Sequence, residues 1–220
     1  TVVRGAAFDV LLQLAGSDVL PLVERSLRSA HADMRARALH KLVALPREDA
    51  RIEPLIGEAL DDEAADVRNE AQKTLWAWHS RSLRPALERA ARCRHADVRA
   101  RVAIDLSREK GDWARVLTLE LVADPVASVG LEAYKRLTDS DADKKRPDVH
   151  LAAMKSPRPE VRVKGAEGAT HSSGAELVKR LRALVEDDDD RVAVRALEGL
   201  DKLAGYDEVA FTFAFSSVSY

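Results

Sequence analysis

The chain has 220 residues, 46% of them hydrophobic, 33% charged and only 5% aromatic, and its 35 basic and 37 acidic side chains leave a net charge of −2. So even a balance excludes a molecule-wide field that would draw the protein to nucleic acid or an anionic membrane, and leaves either role to a local patch. Cys93 is the only cysteine, which excludes an internal disulfide and a cysteine-based zinc cluster, and neither a run of about eighteen apolar residues nor a signal-peptide pattern is present.

Ala, Leu, Arg and Glu are all strong helix formers, and strand formers are sparse before the last dozen positions. The expected class is all-α, in a cytoplasmic protein. An apolar residue followed four positions on by a small or branched one and eight positions on by another recurs along the whole chain. The copies are Val3-Ala7-Leu11, Met34-Ala38-Leu42, Val67-Ala71-Leu75, Val98-Val102-Leu106, Val129-Ala133-Leu137, Val161-Gly165-Ala169 and Val192-Ala196-Leu200. Their first positions lie 31, 33, 31, 31, 32 and 31 residues apart. Residues i, i+4 and i+8 share one side of a helix, so each copy predicts a helix with a narrow apolar stripe. A period near thirty predicts an array of supersecondary units.

In chain order, residues 1–16 match only the second helix of a repeat. This predicts a fragment, a processed product or a stack capped by a lone helix, with an apolar face at Val3, Ala7, Val10 and Leu11 that something covers. Full repeats are expected at 17–46, 47–79, 80–110, 111–140, 141–173 and 174–205. Pro21, Pro54 and Pro85 each stand 13 positions before a stripe and mark the first turn of a first helix. Asp18 is the expected N-cap of the first of these, and Leu22, Val23, Leu27, Leu55, Ile56 and Leu60 supply buried faces. Residues 206–220 break the pattern: Val209, Phe211, Phe213 and Phe215 alternate with smaller residues, as in an extended segment, and a terminal cap over the last helix pair is the simpler expectation.

The segments His31-Ala-Asp-Met-Arg-Ala-Arg, Ala65-Asp-Val-Arg-Asn-Glu-Ala and His95-Ala-Asp-Val-Arg-Ala-Arg resemble the Asp-Val-Arg signature of HEAT repeats, in the short bacterial variety that includes the bilin-lyase-like repeats. The resemblance covers residues 1–205. It implies a right-handed α-solenoid of about six helix pairs behind a leading half repeat, with second helices lining the concave face. It also implies structural roles for Asp33, Arg35, Asp66, Arg68, Asp97, Arg99 and Arg162, which tie the turn of one repeat to the next. Gly130 and Ala193 stand where two repeats lack that arginine.

Chemistry is sparse. None of His31, His40, His79, His95, His150 and His171 precedes a glutamate, and no two are four residues apart, so no metal and no cofactor is expected. Cys93, between Arg92 and Arg94, reads as a small structural residue rather than an activated thiol. Trp76, Trp78 and Trp113 read mainly as gap fillers. The acidic run Glu186 to Asp190 and Asp61, Asp62 and Glu63 precede helices and favour their N-termini. Three positions after each stripe start stand Arg37, Glu70, Arg101, Glu132, Lys164 and Arg195; six after stand His40, Lys73, Ile104, Lys135, Glu167 and Glu198, both rows of mixed sign. With Lys41 and Arg136 they form the candidate partner-binding face.

The expected function is a non-enzymatic scaffold that docks a protein partner or another domain of the same polypeptide, with no membrane. Two alternatives stay open. One is a nucleic-acid-binding protein, similar to HEAT-like DNA glycosylases, using the arginines between Arg81 and Arg101. The other, weaker, is a tetrapyrrole lyase, implied only by the resemblance.

Overall fold

The structure is a computed structural model and describes residues 2–16 and 18–204, so the expectation for 206–220 lies outside the described residues. These residues form fourteen helices and no strand. They are α1 (Val2–Ala15), α2 (Leu20–Leu27), α3 (Ala32–Leu42), α4 (Ile52–Ala59), α5 (Ala65–Trp78), α6 (Arg84–Ala90), α7 (Ala96–Leu106), α8 (Asp112–Val122), α9 (Ala127–Leu137), α10 (Asp141–Lys144), α11 (Pro147–Met154), α12 (Pro159–Ala169), α13 (Ala175–Leu184) and α14 (Asp190–Ala204). The stripe helices are α1, α3, α5, α7, α9, α12 and α14. The first helices are α2, α4, α6, α8, α11 and α13, and α10 is an extra turn capped by Ser140.

The chain forms two compact units, Thr1–Val102 and Ala103–Tyr220. In the first, α2 packs on α3, α4 on α5, and α3 on α5. In the second, α8 packs on α9, α11 on α12 and α13 on α14, with α9, α12 and α14 in succession. Each unit is therefore all-α, built as an α-solenoid is built: helix pairs stacked in sequence order.

Apolar stripes explain the packing. Ala38, Ala71, Val102, Ala133 and Ala196 are fully buried, as are Val67, Val129, Val161 and Val192. Facing them lie first-helix residues such as Ile52 and Ile56, or Leu177 and Leu181. Small central residues let the helices close up, and removing this surface from water is the main stabilising term. The limit is reached at Gly165, where a Cβ would lie 2.6 Å from the Met154 amide nitrogen and 2.9 Å from the Ala153 Cβ of α11. At Gly199 a Cβ would meet only the Leu181 methyls at 3.3 and 3.4 Å and the Ala166 carbonyl at 3.4 Å.

Helix starts differ from expectation at one point. The N-cap of α2 is Val19 and carries no side-chain cap; Asp18 instead donates its amide to the Ala15 carbonyl at 3.1 Å, so it closes the preceding turn.

The two glycines make the packing testable. Gly165→Ala gains up to about 1 kcal/mol of helix propensity, but a backbone nitrogen cannot swing away as a side chain can. The net expectation is a loss of about 1–3 kcal/mol, whereas Gly199→Ala should stay within about 1 kcal/mol of the parent. Urea unfolding followed by circular dichroism checks both, and equal stability of the two variants would contradict the packing.

Candidate functional site

The polar architecture begins in the turn before each stripe helix. Five residues before the stripe start stand Ser29, Asp62, Cys93, Asp124, Ser156 and Asp187. Each accepts the amide hydrogen of the residue two positions on: Ser29 from His31 (3.2 Å), Asp62 from Ala64 (2.8 Å), Cys93 from His95 (3.4 Å), Asp124 from Val126 (2.8 Å), Ser156 from Arg158 (3.3 Å) and Asp187 from Asp189 (3.1 Å). In α3, α5, α9 and α12 that amide belongs to the N-cap residue, which is extended and has no side-chain cap of its own. These short side chains form Asx- and Ser-type turns that set the helix entry.

The arginine one position after the stripe start completes the turn. Nη1 of Arg35 donates to the Ser29 carbonyl at 2.8 Å, that of Arg68 to Asp62 and Glu63 at 2.9 Å, that of Arg99 to Cys93 and Arg94 at 2.8 and 2.9 Å, and that of Arg162 to Ser156 and Pro157 at 3.1 and 3.2 Å. The rest of the guanidinium reaches the next repeat. Arg35 holds both oxygens of Asp62 at 2.7 Å, Arg68 holds Asp97 Oδ2 at 3.0 and 2.7 Å, and Arg162 holds Asp187 at 2.8 and 2.7 Å. Arg4 meets Asp33 at 3.3 Å.

The carboxylate thus comes from one of two positions. Asp33 and Asp97 stand one residue before the stripe, in repeats whose turn residue is Ser29 or Cys93; Asp62 and Asp187 are themselves turn residues. The carboxylate that faces Arg35 is therefore Asp62, while Asp66, one residue before the stripe, has no ion pair among the described residues. At Gly130 a Cβ would lie 2.9 Å from both the Val122 carbonyl oxygen and a Val161 methyl, so an arginine is sterically shut out there. In the following repeat, Glu160 keeps Oε2 buried without a hydrogen bond, 3.8 Å from Arg158 Nε.

The exposed rows of the stripe helices also interlock. The side chain six after one stripe start meets the one three after the next: Asp9 with Arg37 at 2.5 Å, His40 with Glu70 at 3.6 Å, and Glu167 with Arg195 at 3.2 Å. At the corresponding positions Lys73 precedes Arg101 and Lys135 precedes Lys164, like charges in both cases. Lys73 turns to Glu70 on its own helix at 3.3 Å, and Lys164 to Glu167 at 2.7 Å. Lys135 is exposed and, like Lys41, has no ion pair among the described residues. Arg136 is held by Glu132 on its own helix at 2.6 Å.

Most of the basic cluster between Arg81 and Arg101 is engaged. Arg84 pairs with Glu88 at 2.7 Å, Arg89 reaches the Gly57 carbonyl at 3.4 Å, Arg94 donates to the Asp61 carbonyl, and Arg99 sits in its turn. Arg81 and Arg92 are exposed without an ion pair among the described residues. Cys93 points inward, 3.1 Å from the Leu60 carbonyl oxygen and 3.2 Å from Asp61 Oδ1, and burial pushes its thiol up to about 11. A thiol so raised is a poor nucleophile at neutral pH. Trp78 is buried with the Arg47 guanidinium 5.4 Å from its ring centre, whereas Trp76 and Trp113 are half-buried. Arg47 also donates to the Trp78 and Ala77 carbonyls at the end of α5. His79 contacts Glu53 at 2.9 Å; His150 is buried between Tyr134, at 3.0 Å, and the Lys144 carbonyl, at 2.6 Å.

No protein-family model matches the sequence, and no curated protein does. Among solved structures, an engineered protein is similar at 18% identity over 86% of this chain and 97% of that chain, with a TM-score of 0.37. The TOG domain array that crescerin uses to regulate microtubules in the primary cilium is similar at 15% identity over 92% of this chain and 85% of that chain, also with a TM-score of 0.37. At such scores neither likeness carries an argument.

Burial raises the carboxyls of Asp62 and Asp187, but the bonds from Arg35 and Arg162 and from the turn amides outweigh it, and both end below the ordinary carboxylate value. A lowered folded-state value means that this stabilisation is complete above the unfolded-state value of about 3.9 and is lost as pH falls through the folded one. Unfolding free energy should hold down to about pH 5 and drop below about pH 4. Asp187→Asn should lose about 2 kcal/mol at neutral pH, since Arg162 keeps its carbonyls but not its carboxylate, and should flatten the acid limb. A variant as stable as the parent, with an unchanged acid limb, removes the rung from the account.

Proposed function

We propose that the protein is a non-enzymatic interaction module, whose row of stripe helices docks a protein segment carrying carboxylates. The observation that carries this reading is Lys135, exposed and without an ion pair among the described residues, at a place where the next repeat presents Lys164, a like charge. Asp9, His40 and Glu167 meet Arg37, Glu70 and Arg195 one repeat on, whereas Lys73 and Lys164 are held by Glu70 and Glu167 of their own helices. A partner carboxylate at Lys135 would be bound without first breaking an internal ion pair. Complementary charge of this kind steers encounter and register more than it adds affinity. In the family that the signature segments resemble, these helices face the concave side.

The nucleic-acid reading depends on the arginines between Arg81 and Arg101, and internal acceptors hold most of them. A phosphate backbone needs several cations aimed outward together. The short bacterial, bilin-lyase-like assignment and a tetrapyrrole substrate rest on the signature segments alone, and no geometry here favours them.

A photoreactive amino acid at Lys135, in the whole chain produced in its own cells, should give adducts with a protein; the same group at exposed Lys179 on α13 should not. Lys135→Glu combined with Lys164→Glu should weaken capture of that partner by about tenfold or more, as expected when attraction becomes repulsion. Equal labelling from both sites, or labelling of nucleic acid with retention on heparin, overturns the reading.

A further inference from the structure

One turn of helix stands outside the repeat pattern. Helix α10 (Asp141–Lys144) lies between α9 and α11, and none of its residues is buried. A helix of four residues is far too short to hold itself together, so contacts with its surroundings must fix it. Its tie to α11 is the Lys144 carbonyl oxygen, which lies 2.6 Å from His150 Nε2 and also accepts the Ser172 hydroxyl at 3.3 Å.

His150 is 1% exposed, and Tyr134 beside it is buried as well. A ring nitrogen that faces a carbonyl oxygen must carry the hydrogen, so Nε2 of the neutral ring donates to Lys144 and Nδ1 is left as an acceptor. Nδ1 lies 3.0 Å from the Tyr134 hydroxyl, whose oxygen is also 2.9 Å from the Lys164 carbonyl. Gly168 makes room for both rings, because a Cβ there would collide with Tyr134 Oη and His150 Nδ1. A second ring proton would put a cation in this place without a free counter-ion. Asp148 of α11 acts on the ring, but Arg115 of α8 already holds it at 2.5 Å and Arg146 lies 3.6 Å from it; His171, beyond α12, adds repulsion. The other helices packed on α11 bring charges matched elsewhere: Lys164 with Glu167 on α12 at 2.7 Å, Arg136 with Glu132 on α9 at 2.6 Å, and Arg180 of α13 with the Met154 carbonyl at 2.7 Å. Lys144 of α10 pairs with Asp141 at 2.9 Å.

We propose that His150 is an acid-released latch: as a neutral ring it pins α10 to α11 through the Lys144 carbonyl, and on taking a proton it leaves its buried place and lets that turn unravel. The edge of the ring that bears Nε2 is turned to α10, which buries nothing, so opening there costs far less than parting α11 from α12. Burial holds His150 below its ordinary value of 6.5, against the opposing pull of the Lys144 carbonyl. A lowered folded-state value means that the closed form is complete above 6.5 and is lost as pH falls through the folded value. Its neighbours do not titrate in that window. Burial raises the Asp148 carboxyl, but the Arg115 bond outweighs this and leaves it below the ordinary carboxylate value, while burial pushes the Tyr134 hydroxyl up. Release is a local opening that leaves the helix pairs folded, because α10 adds nothing to the apolar core.

Nuclear magnetic resonance on the whole chain reads both halves of the device. The His150 ring should titrate with a midpoint below 6.5. The amides of Lys144 and Lys145, bonded to the Ser140 and Ala142 carbonyls, should lose protection several-fold along the same curve between about pH 7.5 and about pH 5, after correction for intrinsic exchange. Amides in the middle of α12 should keep theirs. His150→Gln, whose side-chain amide can still donate to the Lys144 carbonyl but takes no proton, should hold the protection of α10 constant over that range. A His150 midpoint at or above 6.5, protection of α10 that ignores the titration, or a pH dependence that survives His150→Gln overturns the proposal.

Discussion

Helix stacking depends on a guanidinium placed one residue into the stripe helices other than α9 and α14. Apolar contact between layers of Ala, Leu and Val is strong but non-directional, and a chain with 5% aromatic residues has few large rings to lock neighbouring helices in register. Arg35, Arg68 and Arg162 supply the direction. Each satisfies turn carbonyls with one arm and grips a carboxylate of the next repeat with the other, in geometry that only the planar fork provides. Arg35 is only 8% exposed, so its attraction to Asp62 is poorly screened, and its charge would be costly to leave alone. The same contact closes one turn and aligns two repeats.

That dual role explains how the carboxylate varies. The fork meets the next repeat where the residue five before the stripe and the residue one before it both come within reach. An aspartate at either place completes the pair, so Ser29 is matched with Asp33 and Cys93 with Asp97, while Asp62 and Asp187 serve alone. At Gly130 the helices approach too closely for any side chain at the arginine position. Glu160 in the following repeat then holds a buried oxygen without a hydrogen bond. Closer packing has replaced the ion pair there, at the expense of one polar atom.

The periodic part of this was legible in the residues because a helical stripe is a local pattern: Val67, Ala71 and Leu75 declare a face without reference to anything else. The column at Ser29, Asp62, Cys93, Asp124, Ser156 and Asp187 was harder to see, since its members share a function, accepting an amide hydrogen, but not a chemical class. Aligning the turns by their distance to the stripe would have found it. The rows at Arg37 and His40 looked mixed in sign because each was read along itself. Their meaning lies across repeats, where Asp9 faces Arg37 and Glu167 faces Arg195. For the arginines from Arg81 to Arg101, a count of charges likewise does not reveal which of them already point at carbonyls.

The two ends of the described chain show why exposure alone is a weak guide to binding. Helix α14 also carries exposed apolar residues, Val194 and Leu197, at 51% and 53%. Yet its stripe residues Val192 and Ala196 are fully buried, α13 packs against it, and Ala193 at the arginine position leaves no guanidinium in need of a carboxylate. It is a complete helix pair with two apolar side chains on its outer side. Among the described residues no first helix packs on α1: its outward charges are already matched, and its stripe lies bare where Val67, Ala71 and Leu75 of α5 are buried. An apolar patch gains meaning when the same protein shows, elsewhere, what such a patch is for.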